Sequence, residues 1–126
     1  MAKFTILVVE DEKPLADALF KKFTHEDFSV LVENNGEDGL STALREKPDM
    51  ILLDLNMPKL DGMTALKHLR KDTLYGKNAK VIILTNSYDI EKVGNATNLG
   101  VFDYFIKSDS QISDIVAKVK EKLKIK

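Results

Sequence analysis

The sequence predicts an open α/β fold, a parallel sheet wound on both faces by helices. Two observations carry this. Short apolar runs recur five times, at 5–9, 29–32, 50–53, 81–84 and 102–106. An amphipathic stretch of helical period follows each run, and strand–helix alternation is the pattern of βαβ units. The first, third and fourth runs are apolar almost throughout, as strands covered on both faces must be. The second has a polar edge and is placed outermost.

Each helix has legible ends. Pro14 opens the first, where its missing N–H costs nothing, and Leu15, Leu19 and Phe23 follow at four-residue steps. The second carries Leu40, Ala43 and Leu44 inward and stops before Pro48. Asp61 is the expected N-cap of the third, which sets Met63, Leu66 and Leu69 on one side. In the fourth, Ile90, Val93 and Leu99 face inward, but Gly94, Asn95, Thr97 and Asn98 are poor helix formers, so tertiary contacts must hold it. In the last, Ile112, Ile115, Val116, Val119 and Leu123 form one stripe. Residues 72–80 carry no pattern and are expected to form a surface loop.

The 126 residues suit one domain spanning 1–126, large enough for a core without staples. With 44% hydrophobic and 31% charged residues, wholesale disorder is excluded. Nineteen basic residues against twenty acidic ones give a net charge of −1, so no global field favours nucleic acid or anionic lipid. The absence of cysteine excludes disulfides, thiolate metal sites and a thiol nucleophile, and fits a cytoplasmic location. No apolar run approaches the ~20 residues of a membrane span. The five lysines in 118–126 read as a solvated helix face that complements the helix dipole. His25 and His68 fall on helix surfaces away from any site.

In open α/β sheets ligands bind beyond the carboxyl ends of the strands. The first strand ends in Glu10-Asp11-Glu12, the third in Asp54, the fourth in Thr85 and the fifth in Ile106-Lys107. This topology brings Glu10, Asp11, Asp54 and Thr85 together, with Lys107 reaching in from the side. Carboxylates sharing a crevice repel one another unless a cation is present. Mg²⁺ suits such a set, because it takes a few carboxylates and keeps room for water and phosphate. A hydroxyl and an ammonium beside it could hold two phosphoryl oxygens. The constellation therefore fits placing a phosphoryl group on or near a carboxylate. Each residue taken singly has a plainer explanation, such as a cap, a loop charge or a surface lysine. Their placement at one end of four strands makes coincidence a poor account.

These residues resemble the receiver domain of two-component response regulators, over the whole chain. The resemblance rests on Val8-Val9-Glu10-Asp11, on Leu52-Leu53-Asp54-Leu55-Asn56-Met57-Pro58 with Asp61-Gly62, on Leu84-Thr85, and on Gly100, Asp103-Tyr104 and Lys107. It implies a flavodoxin-like (βα)5 fold with strand order 2-1-3-4-5, in the manner of a stand-alone, chemotaxis-type regulator. It implies that Asp54 accepts a phosphoryl group from a histidine kinase or histidine phosphotransfer protein. Asp11 would ligate Mg²⁺ directly, Glu10 through a water, and Asn56 through its backbone carbonyl, with Asp54 completing the set. Thr85 and Lys107 would bind the phosphoryl oxygens, and Tyr104 would change rotamer as Thr85 moves. Output would pass to a protein target through the face built by the fourth helix, fifth strand and fifth helix. Such a domain is no enzyme beyond its own phosphorylation and slow autodephosphorylation, and it would be a monomer or weak dimer without nucleic-acid or membrane contacts.

Two positions depart from the family pattern. Ser108 stands where proline is usual, so a trans bond is expected there, a non-proline cis bond costing about 2.5–4 kcal/mol. Asn86 stands where a very small residue is usual, and with Asn56 and Ser87 it is expected to tune transfer and hydrolysis. A dehalogenase-like phosphatase would need a second acid two residues after its nucleophile, where this chain has Asn56. A flavin carrier would need a phosphate loop where Glu10-Asp11-Glu12 would repel the phosphate. A pseudo-receiver acting only as a scaffold stays open.

Overall fold

The structure, a computed structural model, describes residues 3–55, 57, 59–85, 90–101, 103–107 and 111–125, with only the backbone of 90–93. Its elements alternate: β1 (Thr5–Val9), α1 (Lys13–His25), β2 (Ser29–Glu33), α2 (Gly36–Glu46), β3 (Met50–Asp54), α3 (Gly62–Lys71), β4 (Val81–Thr85), α4 (Ile90–Asn98), β5 (Asp103–Ile106) and α5 (Ile112–Leu123). All strand pairs are parallel, and the sheet order is β2-β1-β3-β4-β5. The alternation predicts the parallel, doubly wound sheet, and its order is the flavodoxin-like one that the resemblance implies.

Strand side chains alternate between faces, so the sheet divides two cores. Ile6, Val8, Leu52, Ile82 and Leu84 meet Leu19 and Phe23 of α1 and Ile115, Val116 and Val119 of α5. Leu7, Val9, Ile51, Leu53 and Ile83 meet Ala43 of α2, Leu66 and Leu69 of α3 and Ala96 of α4. β2 lies at the edge and is only partly buried, as its polar residues predict.

Helix ends follow the sequence logic. Pro14 sits in the first turn of α1. The Asp61 carboxylate accepts from the Thr64 amide at 2.8 Å, the cap expected of it. Leu44 departs from expectation and stays exposed. Ala43 is buried and Leu40 packs against the core as expected, joined on that face by Gly36, Gly39 and Thr42. Gly39 is so close to Val9 that a Cβ there would stand 2.6 Å from a Val9 methyl, and this small-residue face turns Leu44 outward. Ile90 and Val93 belong to α4, but their side chains lie outside the described residues.

Residues 72–80 are more ordered than a plain loop. The Asp72 carboxylate accepts from the Tyr75 and Gly76 amides at 2.8 and 2.7 Å, and a 3-10 turn (Gly76–Asn78) follows. Tyr75 folds inward and donates its hydroxyl to the Pro48 carbonyl at 2.7 Å. Arg70, at the end of α3, spends its guanidinium on four backbone carbonyls. These are Leu99 (2.7 Å), Gly100 (3.2 Å), Gly76 (2.7 Å) and Ala79 (2.8 Å). The lysines of α5 are partly paired rather than simply solvated. Lys120 meets Glu26 at the end of α1, and Lys118 lies 3.4 Å from Asp103.

Candidate phosphoryl-acceptor site

The carboxyl edge of the sheet is built by backbone bonds that run one residue past the strands. The Glu10 amide donates to the Glu33 carbonyl at 2.9 Å, carrying the β1–β2 ladder beyond Val9. Leu55 donates to Leu84, and Lys107 donates to Thr85 at 2.8 Å. Glu10, Asp54 and Lys107 are thereby fixed at one edge of the sheet, at the ends of β1, β3 and β5, with Thr85 buried at the end of the intervening β4.

Gly62 closes the loop after β3. Its amide donates to the Leu55 carbonyl at 3.0 Å, and a Cβ on it would stand 2.0 Å from the Asp54 carbonyl oxygen. No rotamer relieves a clash between two backbones, so α3 would have to retreat from the site. Gly62→Ala is expected to cost about 2 kcal/mol in a urea unfolding series, on the scale of overpacking. An unchanged midpoint would contradict this close approach.

Three carboxylates converge on one ammonium. Lys107 Nζ lies 2.7 Å from Glu10 Oε1, 2.5 Å from Glu12 Oε2 and 3.1 Å from Asp54 Oδ2. The side chains of Glu10 and Asp54 are 0% and 2% exposed and that of Lys107 8%, whereas Glu12 is 50% exposed. Glu10 Oε2 accepts from the Glu12 amide at 3.0 Å. Burial pushes the Glu10 carboxyl up to about 7, although the Lys107 ammonium opposes the rise. For Lys107, burial disfavours the charge but is outweighed by the carboxylates of Glu10, Glu12 and Asp54, so its pKa is raised.

This donor set fits a divalent cation. Three carboxylates against one ammonium leave two negative charges uncompensated when all are ionised. Oxygens of Glu10, Glu12 and Asp54 lie within 4.8 Å of one another. Glu10 Oε1, despite its closeness to Lys107, is buried without a hydrogen bond of acceptable geometry among the described residues. A hard cation with oxygen ligands would satisfy that atom and lower the cost of ionising Glu10.

The expected residues are not all assembled alike. Asp54, Thr85, Glu10 and Lys107 stand together as the strand ends predict. Asp11 is exposed and borders a cleft with Asn34, Asn35 and Lys59, outside the group formed by Glu10, Glu12 and Asp54. Glu12 was not among the expected site residues. No spacing in the sequence marks it: the chain bends at Asp11, and the Glu12 amide closes onto Glu10 Oε2, which brings Glu12 back to the cluster. Tyr104 is 47% exposed. Asn56, Asn86, Ser87 and Ser108 lie outside the described residues. His25 and His68 are exposed on their helices, as read from the sequence. A second cleft of about 460 Å³, lined by Phe4, Lys47, Leu74, Tyr75 and Lys80 among others, opens at the amino ends of the strands, away from these groups. Among the described residues, no helix is long and apolar enough to cross a membrane.

The response regulator receiver domain model matches residues 6–120. The chain belongs to that family. Phospho-acceptance within two-component systems is the general role of receiver domains. Among curated relatives, the response regulator ArlR of Staphylococcus haemolyticus is 32% identical over 119 residues, covering 94% of this chain and 52% of ArlR. The chain thus spans about half the length of the curated relatives it matches. The receiver domain of the Francisella response regulator 1452 superposes with a TM-score of 0.84 at 30% identity, covering 94% of each chain. The phosphorylated cyanobacterial phytochrome response regulator RcpA superposes with a TM-score of 0.81 at 27% identity, covering 95% of this chain and 93% of its own.

Proposed function

We propose that Asp54 is the phospho-acceptor of this receiver domain. The observation that carries the reading is the Lys107 ammonium held 3.1 Å from a nearly fully buried Asp54 carboxylate, with Glu10 beside them. An Asp54 carboxylate oxygen attacks phosphorus. The O–P bond forms as the P–N bond of a phosphohistidine breaks, and its electron pair leaves with the imidazole nitrogen. Lys107 and Thr85 receive phosphoryl oxygens. Glu10, Asp11, Asp54 and the backbone of Asn56 would hold Mg²⁺, which offsets the charge of the phosphoryl group when bound. Later attack of water on phosphorus returns the Asp54 carboxylate and free phosphate, so turnover is limited to the domain's own acyl phosphate.

The partners that follow are a histidine kinase or histidine phosphotransfer protein upstream and a protein target downstream. An acyl phosphate adds about two negative charges, and the pull on Thr85 opens space for the outward-facing ring of Tyr104. The change is read on the face of α4, β5 and α5, and residues 1–126 work as one receiver module in the cytoplasm. Intact mass after incubation with Mg²⁺ and acetyl phosphate tests the reading. Wild type is expected to gain one hydroxylamine-labile phosphoryl group and Asp54→Asn none. Equal gain in both proteins would move the acceptor elsewhere. No gain together with no Mg²⁺ binding would favour a scaffold.

A further inference from the structure

Lys107 touches three carboxylates, and a phosphoryl dianion must displace at least one of them to gain that ammonium. The three are not equally free to leave. Asp54 is the acceptor and stays at the reaction centre. Glu10 is 0% exposed, and its other oxygen is tied to the Glu12 amide. Glu12 is 50% exposed, and among the described residues its carboxylate is seen to touch only Lys107, at 2.5 Å. Only Glu12 can exchange its ion pair for water by rotating outward.

Resting on the assignment of Asp54 as acceptor, we propose that Glu12 is a positioning residue, an electrostatic latch on Lys107. Closed, it aims the ammonium across the mouth of the site and neutralises it. Phosphoryl transfer requires the latch to open, so that Lys107 turns from Glu12 to an incoming phosphoryl oxygen. The closed latch slows adventitious phosphorylation by small donors. No proton or bond changes hands in this step.

Two substitutions separate a latch from a bulk charge effect. Glu12→Gln removes the charge, whereas Glu12→Asp keeps it but withdraws the carboxylate by one methylene from Lys107. Both are expected to raise the rate of phosphoryl incorporation from acetyl phosphate about threefold, the scale of an ion pair with one solvent-facing partner. Mg²⁺ affinity is titrated in parallel, because Glu12 also belongs to the acidic group that fits a cation. In the unphosphorylated protein the ¹⁵Nζ resonance of Lys107 should shift in both variants, and in the phosphorylated state it should coincide with that of wild type. Acceleration by Gln but not Asp would overturn the latch in favour of general repulsion of the donor. Slower incorporation with weakened Mg²⁺ binding would overturn it in favour of a metal ligand, and unchanged rates or an unshifted resonance would overturn it outright. If wild type itself takes up no phosphoryl group, the assignment of Asp54 has failed instead.

Discussion

Lys107→Met is expected to destabilise the metal-free protein by about 3–5 kcal/mol at pH 8, the cost of leaving buried partners of an ion pair uncompensated. Met fills much of the volume of the lysine stem, so lost packing contributes little. What changes is the charge: Glu10, Glu12 and Asp54 face one another with no cation between them. The pKa of Lys107 is raised in the fold, so its contribution is fully present below the ordinary lysine value and absent only at strongly alkaline pH. The deficit should shrink near pH 5, where Glu10 takes up a proton. Urea unfolding with a chelator at pH 5 and pH 8 measures both. Equal stability of variant and wild type at pH 8 would show that Lys107 is not the counter-charge of the cluster.

The second large effect belongs to Glu10. Its folded pKa of about 7 lies above the ordinary value of 4.5, so between them the folded protein binds the proton more tightly. Stability from this group is therefore lost as pH rises from about 4.5 through about 7. At about 1.4 kcal/mol per unit the loss approaches about 3 kcal/mol. Glu10→Gln cannot ionise, so the stability difference, variant minus wild type, should grow from pH 5 to pH 8 without metal. Mg²⁺ favours the ionised form, and its stabilisation of wild type should be larger at pH 8 than at pH 5. Thermal unfolding with and without MgCl₂ tests this, and a stabilisation that is the same at both pH values would contradict it.

Much of this was legible because the governing signals are local. Pro14 and Asp61 mark helix starts by their own chemistry, and uninterrupted apolar runs such as 81–84 mark strands buried on both faces. Once the strands are ordered, the topology determines which ends meet, so Glu10, Asp54, Thr85 and Lys107 could be grouped without coordinates. The illegible parts depend on neighbours distant in sequence or on a turn of the backbone. Leu44 faces water because Gly39 brings α2 onto Val9. Glu12 joins the site because the chain bends at Asp11 and its amide closes onto the Glu10 carboxylate. The carbonyls that hold Arg70 belong to segments 6 to 30 residues further on, and no periodicity marks them.

That Arg70 clamp also ties the end of α4 to the rest of the fold. Two of its bonds grip the Leu99 and Gly100 carbonyls just past the end of α4, and two grip the segment leading into β4. Ala96, within the last turn of that helix, is buried in the same core as Leu69 of α3 and Ile83 of β4. The guanidinium thus works as a rivet through three segments. The last turn of α3, the approach to β4 and the end of α4 keep their spacing through one planar group, and a shorter or uncharged side chain there would loosen all three joints together.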